Sequence, residues 1–220
     1  MENKLIITAS THPAKDKIKE YVDYLQKNDI KIGMLHVDIM DGVFVEDKTF
    51  DYETVAEIHK MTSFPLDCHL MVKEPMSVVD KYIDAGANIV TVHYEAFENK
   101  KDIVKCLKHI RSKDCLAGIS INPDTRISQI LEYLPYLDMV LIMSVVPGKS
   151  GQKFIMETVN KLSSLKNIIK STNKKILIEV DGGVNIDTVK YVKNLADMAV
   201  CGSALYSSTD KNYLIEEMTK

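Results

Sequence analysis

The sequence predicts an α/β fold, a single-domain (β/α)8 TIM barrel that includes residues 1–220. Three observations predict it: short runs rich in Ile, Val and Leu recur along the chain, amphipathic segments separate them, and the runs number eight. Runs that are apolar almost throughout are typical of parallel strands covered by helices on both faces. Eight such strands, each followed by a helix, close into a barrel.

The predicted strands cover residues 5–9, 33–38, 66–70, 89–92, 116–121, 139–143, 176–180 and 198–201. Helices are predicted over the segments between them, such as 14–28, 100–113 and 151–171, because apolar residues recur there every three or four positions. An open doubly wound sheet also fits this alternation, but it usually carries a Gly-rich turn after its first strand. Here the first strand leads into "ASTHPAKD", so the barrel is favoured.

Composition narrows the classes of partner. The formal net charge is −3 and the chain has no basic block, which argues against a nucleic-acid partner. No segment approaches the ~20 consecutive apolar residues that span a bilayer, and the N-terminus lacks a secretory leader, so we expect a cytoplasmic protein with no membrane partner. The cysteines form no CxxC pair and are expected to be reduced, buried thiols; they are Cys68, Cys106, Cys115 and Cys201.

Ionisable side chains close several of the predicted strands. The second strand ends in His36 and Asp38, whose spacing of two places both side chains on one face of a strand. The third, fourth and seventh strands end in further acids and imidazoles, namely Asp67, His69, His93, Glu95, Glu179 and Asp181. Because the active site of such a barrel lies at the carboxyl ends of its strands, these groups are predicted to converge on one rim.

Two imidazoles and two carboxylates suit one divalent cation such as zinc, iron, manganese or cobalt, so we predict His36, Asp38, His69 and Asp181 as metal ligands. The alternative is that the histidines are core residues bonded to neighbours, but burying so many ionisable groups without a function would be costly. His93 and Glu95 have the same spacing and could bind the metal instead. Since the turn after the strand should carry Glu95 away from the barrel axis, a role behind the ligands or in ordering a loop is favoured.

Two further features indicate the substrate. Small-residue turns at 147–152, 181–185 and 201–206 follow the last three strands, where backbone N–H groups can surround an anion, so a phosphorylated small molecule is predicted. Met40, Met71 and Met143 follow strand ends beside the proposed ligands. They are predicted to line the reacting carbon and exclude water, although methionines in such places often only fill the core.

Seven motifs together resemble the ribulose-phosphate 3-epimerase family: "HVDIMDGVFV", "LDCHLMVKEP", "AGANIVTVHYEA", "GISINPDT", "IMSVVPGKSGQKFI", "IEVDGGVN" and "AVCGSALY". They occur in the family's order, from about residue 7 to residue 206. The resemblance implies a barrel of the ribulose-phosphate-binding type, in a homo-oligomer, that inverts C3 of a ketose phosphate. The typical reaction interconverts D-ribulose 5-phosphate and D-xylulose 5-phosphate.

By this resemblance the metal ligands fall on the four residues named above, and the paired acid and base fall on Asp38 and Asp181. The resemblance matches the family's substrate serine to Ser10 and its phosphate-binding loops to 148–151, 182–183 and 202–203. Together with the methionines and two of the metal ligands, the predicted substrate-binding residues are Ser10, Met40, His69, Met71, Met143, Gly148, Lys149, Ser150, Gly151, Asp181, Gly182, Gly183, Gly202 and Ser203. The chemistry agrees, because moving a proton from one face of a carbon to the other needs two flanking carboxylates. A divalent cation on the substrate oxygens would stabilise the ene-diolate.

Three substrate-facing stretches depart from the family's pattern. The usual "FVPN" is "FVED" at 44–47, the "GFGG" turn is "GKSG" at 148–151, and "THPAKD" after Ser10 is atypical. These departures leave the ligand positions intact but leave the substrate open, and an allulose 6-phosphate 3-epimerase is the nearest alternative. A phosphate-binding decarboxylase would need a lysine in "HVDIMDG", which has none. An inactive metal-binding barrel is disfavoured because Asp38 and Asp181 are both present.

Overall fold

The computed structural model describes residues 4–172 and 174–220 and contains a closed barrel of eight parallel strands paired in chain order. The strands are β1 (Ile6–Ser10), β2 (Met34–Met40), β3 (Leu66–Met71), β4 (Ile89–His93), β5 (Leu116–Ile121), β6 (Met139–Met143), β7 (Leu177–Asp181) and β8 (Met198–Cys201). The predicted fold class and all eight predicted strands are confirmed. The largest difference lies in β2, which runs two residues beyond its predicted end because Met40 still pairs with Met71 of β3.

The α-helices are α1 (Ile18–Lys27), α2 (Tyr52–Met61), α3 (Val79–Asp84), α4 (Lys101–Arg111), α5 (Thr158–Ser171), α6 (Ser203–Ser207) and α7 (Lys211–Thr219). The helix predicted to start at residue 151 begins only at Thr158. The intervening residues are held as a loop, because the Ile155 N–H donates to the carbonyl of Ser144 and the Gln152 amide donates to the carbonyls of Val146 and Lys149. The crossovers after β5 and β7 contain short 3-10 turns, at Ile127–Gln129, Leu131–Tyr136 and Val189–Tyr191.

The core lies between the strands and the surrounding helices. In α4, the apolar residues recur at three and four positions and are fully buried against the barrel: Ile103, Cys106, Leu107 and Ile110. The four cysteines are buried free thiols, as predicted. Among residues 4–172 and 174–220, no helix combines the length and the apolar character needed to cross a bilayer.

Candidate metal and active site

The pairing of β2 with β3 places the predicted ligands side by side. His36 is opposite Asp67 in this pairing, Asp38 is opposite His69, and all four side chains are buried. Because strand residues two apart share a face, His36 and Asp38 leave β2 on the same side, as the sequence predicts. Asp181 comes from the last position of β7. The structure thus brings the four predicted metal ligands together from three strands.

The ligand atoms of His36, Asp38, His69 and Asp181 lie within 4.8 Å of one another. His36 Nε2 is 3.3 Å from His69 Nδ1 and 3.5 Å from Asp38 Oδ1, and it is 3.9 Å from Asp181 Oδ2. Two imidazole nitrogens and two carboxylate oxygens thus lie close enough together to hold a single ion. This donor set fits a divalent cation, which would satisfy all four groups at once.

His36 is oriented from behind by Asp67, an acid predicted only to lie on the same rim. Its Nδ1 is 2.7 Å from Asp67 Oδ2, and both side chains are fully buried. A carboxylate at Nδ1 keeps a proton on that nitrogen, so Nε2, which faces the cluster, is the nitrogen that would bind a metal.

A second acid, Glu179, lies beneath the cluster. Its Oε1 accepts a hydrogen bond from Thr8 Oγ1, while its Oε2 is 3.8 Å from His36 Nδ1 and has no hydrogen-bond partner among the described residues. Burial and the neighbouring charge of Asp67 raise the pKa of Glu179 well above its ordinary value, which favours its protonated form.

The two candidate catalytic acids differ in their ionisation. Burial opposes the charge of Asp38, but the two histidines beside it outweigh burial and lower its pKa well below the ordinary value. Burial raises the pKa of Asp181 to about 7, and the negative charges of Asp38 and Asp67 add to that shift. Two carboxyl groups with pKa values moved apart are an arrangement suited to acid and base roles. Ser10 Oγ donates to Asp38 Oδ2 over 2.8 Å and fixes its orientation.

His93 and Glu95 stand behind the cluster and not in it. His69 Nε2 is 2.8 Å from His93 Nε2, and His93 Nδ1 is 3.2 Å from Glu95 Oε2. The other oxygen of Glu95 accepts hydrogen bonds from the Asn122 N–H and the Thr125 hydroxyl in the loop after β5. Burial raises the pKa of Glu95, but the hydrogen bonds with His93, Thr125 and Asn122 outweigh it and lower that pKa to about 2.

This lowered pKa predicts how stability depends on pH. Because Glu95 ionises at about 2 in the folded protein and at 4.5 ordinarily, its ionised form stabilises the fold above pH 4.5, and that contribution is lost as the pH falls from 4.5 towards 2. Glu95→Gln is expected to lower the free energy of unfolding at pH 7 by at most about 3 kcal/mol. In urea unfolding of metal-stripped protein, the difference from wild type should shrink below pH 4.5. Glu98→Gln, at an exposed acid of the same loop, is the control; a gap that widened in acid would contradict the prediction.

A cavity of about 470 Å³ opens above the cluster at the carboxyl ends of the strands. Every predicted substrate-binding residue except His69 lines it: Ser10, Met40, Met71, Met143, Gly148, Lys149, Ser150, Gly151, Asp181, Gly182, Gly183, Gly202 and Ser203. His69 is fully buried and belongs to the ligand cluster. The three methionines are almost fully buried, which fits the predicted apolar lining.

The turns after β6, β7 and β8 border one side of this cavity. Gly183 has a φ of +65°, and a Cβ added there would lie 2.6 Å from the backbone nitrogen of Phe154. Only glycine therefore allows the turn after β7 to pack against the loop after β6. Ser203 begins the short helix α6 on the same side. Backbone N–H groups at such turns can bind an anion.

The altered loops contact one another. His12 Nε2 is 3.0 Å from Asp47 Oδ2, and Lys15 Nζ is 2.8 Å from the same oxygen, so "THPAKD" is paired with "FVED". Lys149 Nζ is 3.3 Å from Glu46 Oε2, and both side chains are exposed. His12 also lines the cavity. His12 is not among the predicted site residues, and its position two residues after Ser10 is the only sequence signal that points to it.

Comparisons with known proteins agree with this geometry. A family model described as the ribulose-phosphate 3 epimerase family matches residues 6–206. Ribulose-phosphate 3-epimerase of Aquifex aeolicus is 41% identical over 178 residues, which cover 80% of this chain and 79% of that protein. The Bacillus subtilis (strain 168) enzyme of the same name is 38% identical over 186 residues, or 84% of each chain.

Solved structures with the same fold include a 3-hexulose-6-phosphate synthase, with a TM-score of 0.65 and 16% identity over 98% of each chain. A mutant tryptophan synthase α-subunit from Pyrococcus furiosus has a TM-score of 0.67 and 15% identity, and the match covers 99% of this chain and 96% of that one. At these identities the structural matches show the fold alone.

Proposed function

Because the chain belongs to the ribulose-phosphate 3-epimerase family, we propose that it interconverts D-ribulose 5-phosphate and D-xylulose 5-phosphate by inversion at C3. The observation that carries the proposal is the pair Asp38 and Asp181. Both carboxyl groups belong to one cluster at the floor of the cavity, and their pKa values are shifted in opposite directions. One base and one acid at the same site are what inversion by proton transfer requires.

The chain's own residues supply the proton transfers. Ionised Asp38 accepts a proton from one face of C3, and protonated Asp181 returns one to the other face; in the reverse direction the roles exchange. Ser10 holds Asp38 in orientation through its hydroxyl. Because the two acids interact, they titrate as a pair and not independently.

The metal is assigned to His36, Asp38, His69 and Asp181, whose donor atoms fit zinc, iron, manganese or cobalt. When bound, a divalent cation supplies stabilisation of negative charge on the substrate oxygens. Asp67 keeps the Nε2 lone pair of His36 directed at this site. The buried side chains of Met40, Met71 and Met143 exclude water from the reacting carbon.

The phosphate of the substrate is assigned to the turns after β6, β7 and β8. The backbone there passes close to the cavity at Gly148, Gly151, Gly183 and Gly202, and Ser203 adds the start of α6. We assign Lys149, Ser150 and Gly182 to the same phosphate end. Lys149 contacts Glu46 in the structure, and it adds a positive charge near an incoming anion only if that exposed pair opens.

A turnover comparison tests the proposed substrate. Cobalt-loaded protein is incubated in D2O with D-ribulose 5-phosphate or with allulose 6-phosphate, and NMR follows inversion and deuterium uptake at C3. We expect D-ribulose 5-phosphate to be preferred by kcat/KM, because the curated relatives described above are ribulose-phosphate 3-epimerases. Preference for the hexulose phosphate would assign the altered loops to a six-carbon substrate. Turnover of neither would reject the proposed reaction. The homo-oligomer and the cytoplasmic location remain predictions.

A further inference from the structure

Two contacts link Glu95, His93 and His69 in a row, and the protons in these contacts must all point the same way along the row. Glu95, His93 and His69 follow one another at 3.2 Å and 2.8 Å, and the far nitrogen of His69, Nδ1, is the atom that faces the ligand cluster. At each of these contacts one partner must carry the proton and the other must accept it. The position of one proton therefore fixes the next.

The ionised carboxylate sets that direction. Glu95 is acceptor-only, so His93 carries its proton on Nδ1. With a single proton, on Nδ1, His93 presents Nε2 as an acceptor for the Nε2–H of His69. Neutral His69, with its proton on Nε2, has a bare Nδ1 that faces Asp38 and the metal site at a distance of 3.6 Å from Asp38 Oδ1.

From this geometry we propose that Glu95 and His93 are positioning residues that select the tautomer of His69 whose Nδ1 binds the metal. The inference rests on the proposed metal site and assigns these residues a task beyond it. Carboxylates that orient metal-binding histidines usually contact the ligand directly. Here a second histidine stands between the carboxylate and the ligand.

The surroundings hold this chain in place. The second oxygen of Glu95 is tied to the Asn122 N–H over 2.8 Å and to the Thr125 hydroxyl, so the carboxylate cannot turn away from His93. The ring of Phe44, in the loop after β2, packs on His93 with ring centres 4.8 Å apart. His69 and His93 are both fully buried, so water does not compete for their nitrogens.

Glu95→Gln should reverse the direction without changing the size of the side chain. The amide oxygen of Gln would continue to accept from Asn122 and Thr125, so its NH2 group would face His93 Nδ1. That nitrogen would become the acceptor, His93 Nε2–H would donate to His69 Nε2, and the His69 proton would move to Nδ1. The proton would then occupy the atom that the metal needs.

Thr125→Val is the matched control, because it removes the hydroxyl from the same Glu95 oxygen but leaves the carboxylate beside His93. It tests whether weaker Co²⁺ binding follows from loss of order in the loop after β5 and not from the position of the His69 proton. His93→Gln is a second variant, because its amide oxygen can replace the bare Nε2 as the acceptor for His69. It should therefore retain more metal binding than His93→Leu, which has no acceptor.

The test is calorimetric titration of Co²⁺ into the metal-stripped protein of residues 1–220. We expect Glu95→Gln to weaken binding by about 10- to 100-fold, with Thr125→Val close to wild type and His93→Gln tighter than His93→Leu. Nitrogen-15 NMR of histidine-labelled protein should show the His69 proton on Nε2 in wild type and on Nδ1 in Glu95→Gln.

Equal Co²⁺ affinity in wild type and Glu95→Gln, or equal weakening in Thr125→Val, would overturn the inference and leave the proposed function standing. If Glu95→Gln did not fold, the comparison of His93→Gln with His93→Leu would decide instead, and equal affinity there would also overturn it. Wild-type protein that bound no Co²⁺ would reject the metal site of the proposed function, and the inference with it.

Discussion

Asp38→Asn and Asp181→Asn are each expected to lower kcat for C3 inversion by on the order of 10⁴-fold while the barrel remains folded. Asparagine keeps the size of the side chain and an oxygen for the cation, but it cannot accept a proton. Inversion needs proton transfer on both faces of C3, so the loss of either acid blocks it. The remaining acid can still exchange a proton on its own face.

The measurement is NMR in D2O, started from each epimer separately. Each variant is expected to lose inversion and to retain deuterium uptake from one epimer only, with the opposite epimer retained in the other variant. Asp84→Asn, at an exposed acid outside the barrel, controls for the chemical change. Circular dichroism and Co²⁺ content establish that the fold and the loaded site are preserved. Near-wild-type turnover in either variant would be incompatible with two-carboxylate catalysis.

Gly183→Ala is expected to raise KM for the phosphorylated substrate by about 10- to 100-fold, the equivalent of one lost hydrogen bond to a charged group. The new Cβ would lie 2.6 Å from the nitrogen and 2.9 Å from the Cα of Phe154, and backbone atoms cannot rotate away as a side chain can. The turn after β7 and the loop after β6 must therefore separate, and the cavity wall assigned to the phosphate opens.

Gly151→Ala is the matched comparison. Gly151 also has a left-handed conformation, with a φ of +74°, but a Cβ there would meet no described atom within 4 Å. Both variants incur the same backbone cost of roughly 1–2 kcal/mol, and only Gly183→Ala adds the collision. Steady-state KM values with D-ribulose 5-phosphate should therefore rise clearly more in Gly183→Ala. Equal KM values in the two variants would show that the collision does not affect substrate binding.

Much of the fold could be predicted from local patterns. The strands are almost continuously apolar because helices or barrel interior cover both their faces, and that composition is visible in any short window. The spacing of two between His36 and Asp38 is also enough to predict that both side chains leave one face of the strand, because strand side chains alternate. The start of α5 was missed because the residues before it have a helical period, while their hydrogen bonds to the loop after β6 depend on distant parts of the chain.

The supporting residues were harder to predict for the same reason. The sequence predicts Asp67 and Glu179 as acids at strand ends. Which residues they contact depends on the pairing of β2 with β3 and on the closure of the barrel. His12 belongs to no motif, and its partner Asp47 is 35 positions away. Contacts between residues far apart in the chain produce no repeating pattern in a single sequence.

The pairing of the two altered loops has a consequence for exchanging parts between members of this family. His12 and Lys15 both contact Asp47, so we expect the segments "THPAKD" and "FVED" to be exchanged successfully only together. A chimera that received only the usual "FVPN" segment would leave an imidazole and an ammonium group facing each other without their shared carboxylate. Recombination between homologous genes should therefore preserve function best when both segments come from the same parent.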